Sequence, residues 1–176
     1  MTGLNTNQQF VQEFKTETLN LLDQSMIKIR NCFRQLPQDA VWWRPTDNDN
    51  SIGNLILHSC GNLRQWGING ILEQTDNRQR AEEFSNDVDV SKDALLNLCD
   101  VTINACRDTI TQLTDTDLLS TRRIQGFEVT ILTAILHTTT HFAGHTHQIV
   151  LLTRLQLGER YEFAWIPGAE DNNLPL

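Results

Sequence analysis

VTILTAILHTTTHFAGHTHQIVLLTRLQL, residues 129–157, is far too long for a strand and carries apolar residues at helical spacing, so it reads as one helix that Gly158 ends. Four of the five histidines of the chain fall within it, between Leu136 and Gln148. At about 100° per residue, with His141 as zero, His145 stands at about +40°, Gln148 at about −20°, Leu152 at about +20° and His137 at about −40°. These residues share one stripe, and the stripe runs on into apolar positions. A histidine pair at i and i+4 on a core-facing stripe can present two imidazoles to a single ion. His147 lies about 120° away from it.

Three further stretches have helical period and length. The first covers about Thr6 to Leu36, with Phe10, Phe14, Leu21, Met26, Ile29 and Phe33 at helical spacing and Pro37 as its stop. After Val41-Trp42-Trp43-Arg44-Pro45 and a polar loop over Thr46 to Asn50, Ser51 caps a second helix, about Ile52 to Leu72, which holds the fifth histidine, His58. The third runs from about Lys92 to Gln112, capped by Ser91, and carries Leu95, Leu98, Ile103 and Ile110. Between the second and third, residues 73–90 are polar, with Asp76-Asn77 and Asp87 to Asp89 as turn material, and read as an excursion over the surface. Thr114 to Asp117 is a turn, and Arg123 to Glu128 bends at Gly126. The tail from Trp165 to Leu176 is irregular. With no repeat and no low-complexity block, the pattern predicts a single all-α domain over residues 1–176, a four-helix bundle of up-down character whose core can host a metal between facing helices.

The chain has 176 residues, with 14 Lys and Arg against 22 Asp and Glu, a formal charge of −8. That sign argues against nucleic acid and anionic membrane surfaces, whose recognition rests on clustered cations. A hydrophobic share of 39% with 20% charged residues suits a packed soluble chain rather than a disordered one. No run of about 18 apolar residues is available to span a membrane, and Met1 to Asn7 has no signal-peptide character. The four cysteines, Cys32, Cys60, Cys99 and Cys106, form no Cys-x2-Cys unit. They read as reduced, buried thiols of a cytoplasmic protein.

The chemistry rests on the histidines. His58 alone on an apolar face reads as a hydrogen-bonded core residue, but several imidazoles buried together without a cation cost about 1 to 3 kcal/mol for each polar group left unpaired. His137 is a ligand, a partner of a ligand or a helix-surface residue, and spacing leaves the three open. A zinc protease of the His-Glu-x2-His class is excluded, because Phe142 stands where the glutamate is required. Three imidazoles without a thiolate leave an ion with an open position for water or substrate. Ser51 and Thr138 to Thr140 belong to no Gly-x-Ser-x-Gly elbow, and no glycine-rich phosphate loop is present. The Thr138 to Thr140 hydroxyls can donate to neighbouring imidazoles or to carbonyls. Trp42, Trp43, Trp66 and Trp165 line a pocket or pack the edge of the core, Arg64 binds a ligand carboxylate or is solvated, and Glu82-Glu83 reads as a solvated charge run rather than a general base.

Trp43-x-Pro45, then Asn50-Ser51-Ile52-Gly53-x3-Leu57-His58-x2-Gly61-Asn62, and finally His141-x3-His145-x2-Gln148-Ile149 together resemble the DinB-like, or YfiT-like, metalloenzyme superfamily. The first block and Asn77-Arg78-x4-Glu83-Phe84 are similar to one branch of it, a domain of unknown function. The resemblance covers nearly the whole chain and implies a four-helix bundle with a divalent ion, zinc or nickel, held by His58, His141 and His145. His137 has no place in that triad. Thr146-His147-Gln148 departs from the family's usual residues ahead of the glutamine, which alters the helix surface beside the site and not the ligands. Relatives include thiol transferases that use bacillithiol and a mycothiol-dependent maleylpyruvate isomerase. The resemblance therefore implies a metal-dependent thiol or group transferase, or a hydrolase, acting on a small-molecule substrate, with a low-molecular-weight thiol as co-substrate and a homodimer as the assembly. The alternative is a non-catalytic metal- or ligand-binding bundle with a stress-related role. The two part at the fourth coordination position, which exchanges water in an enzyme and is filled by the protein in a binding module.

Overall fold

The computed structural model describes residues 5–85 and 90–165. Side chains that satisfy the free N–H groups of the first turn set each long helix. Asn5 and Gln8 form a reciprocal capping box that opens α1, Thr6–Gln35. Ser51 and Asn54 form another at α2, Ile52–Arg64. Ser91 caps α3, Lys92–Gln112, so both serines predicted as caps act as caps. One turn, α4 (Asp115–Leu118), follows on Thr114. Two short strands come next, β1 (Thr121–Ile124) and β2 (Phe127–Thr130), and then α5, Ile131–Leu157, which Thr130 caps.

The chain is mostly helical, as its periodicity predicts, with two local departures. The helix expected to reach Leu72 keeps α geometry only to Arg64, and Gln65–Asn69 continue as a π turn. Where a simple bend at Gly126 was expected, the chain forms an antiparallel hairpin pairing Thr121 with Thr130 and Ile124 with Phe127. Its two-residue turn places Gln125 at φ 51 and Gly126 at φ 85, the left-handed pair that matches the twist of a tight hairpin. Four-residue strands are too short to register as alternation, and β2 takes Val129 and Thr130 from the start predicted for the last helix. Ile124 of the hairpin packs with Trp66 and Ala134 in a small cluster beside the main core.

The main core gathers Leu22, Ile29 and Phe33 of α1, Ile52, Ile56 and Leu63 of α2, Leu95 and Ile110 of α3, and Ile135, Phe142 and Ile149 of α5. Phe10 and Leu21, two of the apolar residues at helical spacing in the first helix, are exposed and stand outside this core. α1 and α2 each pack against both α3 and α5. Named contacts fix the directions. Lys15 bonds the carbonyls of Thr111 and Leu113 while Lys92 bonds those of Phe33 and Leu36, so α1 and α3 are antiparallel. Lys28 meets His147 and Arg34 meets Glu162, so α1 and α5 run the same way. His58 faces His141 while Asn62 faces Thr138, making α2 antiparallel to α5, and Cys60 faces Cys99 while Gly67 faces Cys106, making α2 parallel to α3. The simple up-down alternation expected from sequence therefore fails at α2 and α3. Parallel neighbours need a connection that returns along the helix, and the long segment from Gln65 to Ser91 supplies it.

All four cysteines are buried and unpaired by disulfides. Among the described residues no helix is long and apolar enough to cross a membrane. The predicted turn at Asp87 to Asp89 lies outside the described residues, as does the tail beyond Trp165.

Candidate metal centre

The antiparallel contact between α2 and α5 brings His58, His141 and His145 together, with one ligand atom from each lying within 4.8 Å of the others. His141 Nε2 stands 3.2 Å from His58 Nε2 and 3.3 Å from His145 Nε2. The other ring nitrogens define the tautomers. His58 Nδ1 lies 2.9 Å from Glu83 Oε2, and because a carboxylate only accepts, Nδ1 carries the hydrogen and donates it. His145 Nδ1 likewise donates to Gln148 Oε1 at 2.7 Å, since the facing amide oxygen has no proton to give. Both rings therefore turn an unprotonated Nε2 toward His141. His141 Nδ1 is buried and has no hydrogen-bond partner among the described residues.

Three imidazole nitrogens at these separations suit a cation better than each other. A neutral His141 can offer one hydrogen to two inward lone pairs, whereas tetrahedral ligands about 2.05 Å from an ion lie about 3.3 Å apart. The residues present fit a metal ion. Burial, and then repulsion from His145, His58 and His137, pushes the pKa of His141 down from 6.5 to about 3. Burial also lowers that of His145, against the opposing Gln148 hydrogen bond. His141 and His145 are thus neutral near pH 7, the state in which imidazole ligates.

Glu83 is the residue that sequence reasoning misplaced. Taken there with Glu82 as a solvated pair, it is buried, while Glu82 is exposed. A short 3-10 turn, Glu82–Phe84, carries it inward, and Asn54 Nδ2 holds the turn through the Glu83 carbonyl at 2.9 Å. Arg78 grips the carboxylate in a fork, Nε to Oε1 at 2.6 Å and Nη2 to Oε2 at 2.7 Å. Burial raises the Glu83 pKa, but the Arg78 and His58 hydrogen bonds outweigh it and hold the group below its ordinary 4.5. One signal was available in the sequence: a ligating histidine calls for an acceptor at its second nitrogen, most often a carboxylate or carbonyl. Phe84, next in the chain, packs its ring 4.9 Å from that of His58.

The match with known families agrees with this reach of the chain, since residues 5–170 match the family described as Protein of unknown function (DUF1572). The chain belongs to the DUF1572 family. No curated protein matches it. In this DUF1572 chain the remaining candidates take ordinary places. His137 is exposed and lies against Trp66, ring centres 4.3 Å apart, and His147 points off the stripe toward Lys28. Trp42 and Trp66 pack the edge of the core with their N–H groups on Val90 O and Gln125 Oε1, while Trp43 and Trp165 are exposed. Thr138 donates to Asn62 and Thr139 and Thr140 to helix carbonyls. Arg64 is exposed on a cleft of about 670 Å³ between α2 and residues 75–83.

Proposed function

We propose that His58, His141 and His145 form the divalent-metal centre of a DinB-like four-helix-bundle enzyme, which transfers a thiol or another group to a small molecule or hydrolyses one. The observation that carries this reading is the convergence of three Nε2 atoms, two of them in tautomers held by Glu83 and Gln148. A dication held by these three residues would supply Lewis acidity, lowering the pKa of a thiol or water bound to it. The chain's own residues do the rest. Imidazole donors carry no charge when they ligate, so they would leave the full charge of an ion undiminished, Glu83 and Gln148 fix two of the rings, and Phe84 packs against His58. Zinc and nickel are the ions that the superfamily resemblance brings with it, and a low-molecular-weight thiol is the co-substrate.

Elemental analysis of purified protein tests the centre. One ion per chain is expected in the wild type and in His147→Ala, with near-empty sites in His58→Ala, His141→Ala and His145→Ala. Full occupancy in His58→Ala, or an empty site in His147→Ala, would overturn the ligand set.

A further inference from the structure

On α2, one turn after His58, Gly61 leaves open the space that Glu83 and Arg78 occupy. A Cβ at position 61 would stand 2.2 Å from Glu83 Oε1 and 2.8 Å from Arg78 Nε, so only glycine lets the ion pair lie against the helix. Arg78 is itself tied to that helix, donating from Nη1 to Gln65 Oε1 at 2.9 Å and from Nη2 to the His58 carbonyl at 3.3 Å. Both carboxylate oxygens of Glu83 and all three guanidinium nitrogens of Arg78 are used. The pair is nine-tenths buried. A buried, fully bonded ion pair is costly to assemble for packing alone, and both of its members meet His58, Glu83 Oε2 at Nδ1 at 2.9 Å and Arg78 Nη2 at the carbonyl and 3.2 Å from Nδ1.

Resting on the reading of the triad as a metal centre, we propose that Glu83 is a positioning residue for His58, clamped by Arg78 on the bare surface of Gly61, so that the seating of residues 78–83 sets the metal affinity of the triad. Glu83 touches no ligand atom. It fixes which nitrogen of His58 carries the hydrogen and so aims Nε2 at the site. Outer partners of this kind are worth about 10- to 100-fold in metal affinity. By reciprocity, an ion on the triad must tighten the excursion by the same factor.

Zinc affinity measured by competition with a chromophoric chelator provides the test. Glu83→Gln and Gly61→Ala are expected to bind zinc at least 10-fold more weakly than wild type, Glu83→Asp to recover part of the loss, and Glu82→Gln to match wild type. A second readout needs no variant. Zinc should slow tryptic cleavage after the exposed Arg80 more than cleavage after Arg160, which a purely packing role for Glu83 would not produce. Wild-type affinity in Glu83→Gln, or zinc binding that leaves the Arg80 rate unchanged relative to Arg160, overturns this inference alone. Absence of zinc binding by the wild type overturns the reading of the triad, and this inference with it.

Discussion

His141 holds its proton only below about pH 3, against an ordinary 6.5, because burial and three neighbouring imidazoles oppose the charge. In an unfolded chain the same ring is protonated below about 6.5, so between these values the unfolded state binds a proton that the folded state refuses. Stability of the metal-free protein must then fall as pH falls through that window. Glu83 acts in the same direction lower down, since its carboxyl sits below 4.5 in the fold. The urea midpoint of metal-free protein is expected to drop steadily from pH 7 to pH 4, and His141→Leu to flatten the upper part of that slope. An unchanged slope in His141→Leu would show that the ring is solvated.

Among the elements, the hairpin depends on its turn. Gly126 at φ 85 has a backbone that a Cβ opposes, so Gly126→Ala is expected to cost about 1 kcal/mol or more. Hydrogen exchange should rise over residues 121–130 first, because the strands touch the rest of the molecule mainly through Ile124 and its cluster. Equal acceleration in α1 and the hairpin would contradict this. The long helices were legible in sequence because their caps and stops are local: Ser51, Ser91 and Pro37 act within one turn of themselves. The His141 and His145 pair was legible for the same reason, being one turn apart on one helix. What could not be seen depends on contacts across the chain. The hairpin offers only four residues a side, the π turn after Arg64 answers to packing around Trp66, and the burial of Glu83 is decided by Arg78, Asn54 and Gly61 together. The parallel course of α2 and α3 likewise depends on where the excursion ends.

For the molecule as a whole, the histidine cluster joins the second and last long helices, so an ion held there would bridge positions 58 and 141. An ion that binds only the folded arrangement would stabilise it by mass action, by about 2.7 kcal/mol when the free metal stands 100-fold above its Kd. Chelation is expected to lower Tm in the wild type and to leave Tm unmoved in His141→Ala. A chelator-insensitive Tm in metal-loaded wild type would mean that the ion lies outside the fold. The shared direction of α1 and α5 has a further consequence. Glu162 meets Arg34 near the end of α1, while Asn5 caps its start, and 30 residues of helix at about 1.5 Å each separate them by about 45 Å. The same span makes Asn5 and Glu162 the two ends of a rigid ruler, suited to an energy-transfer dye pair that reports on the length of the intact molecule.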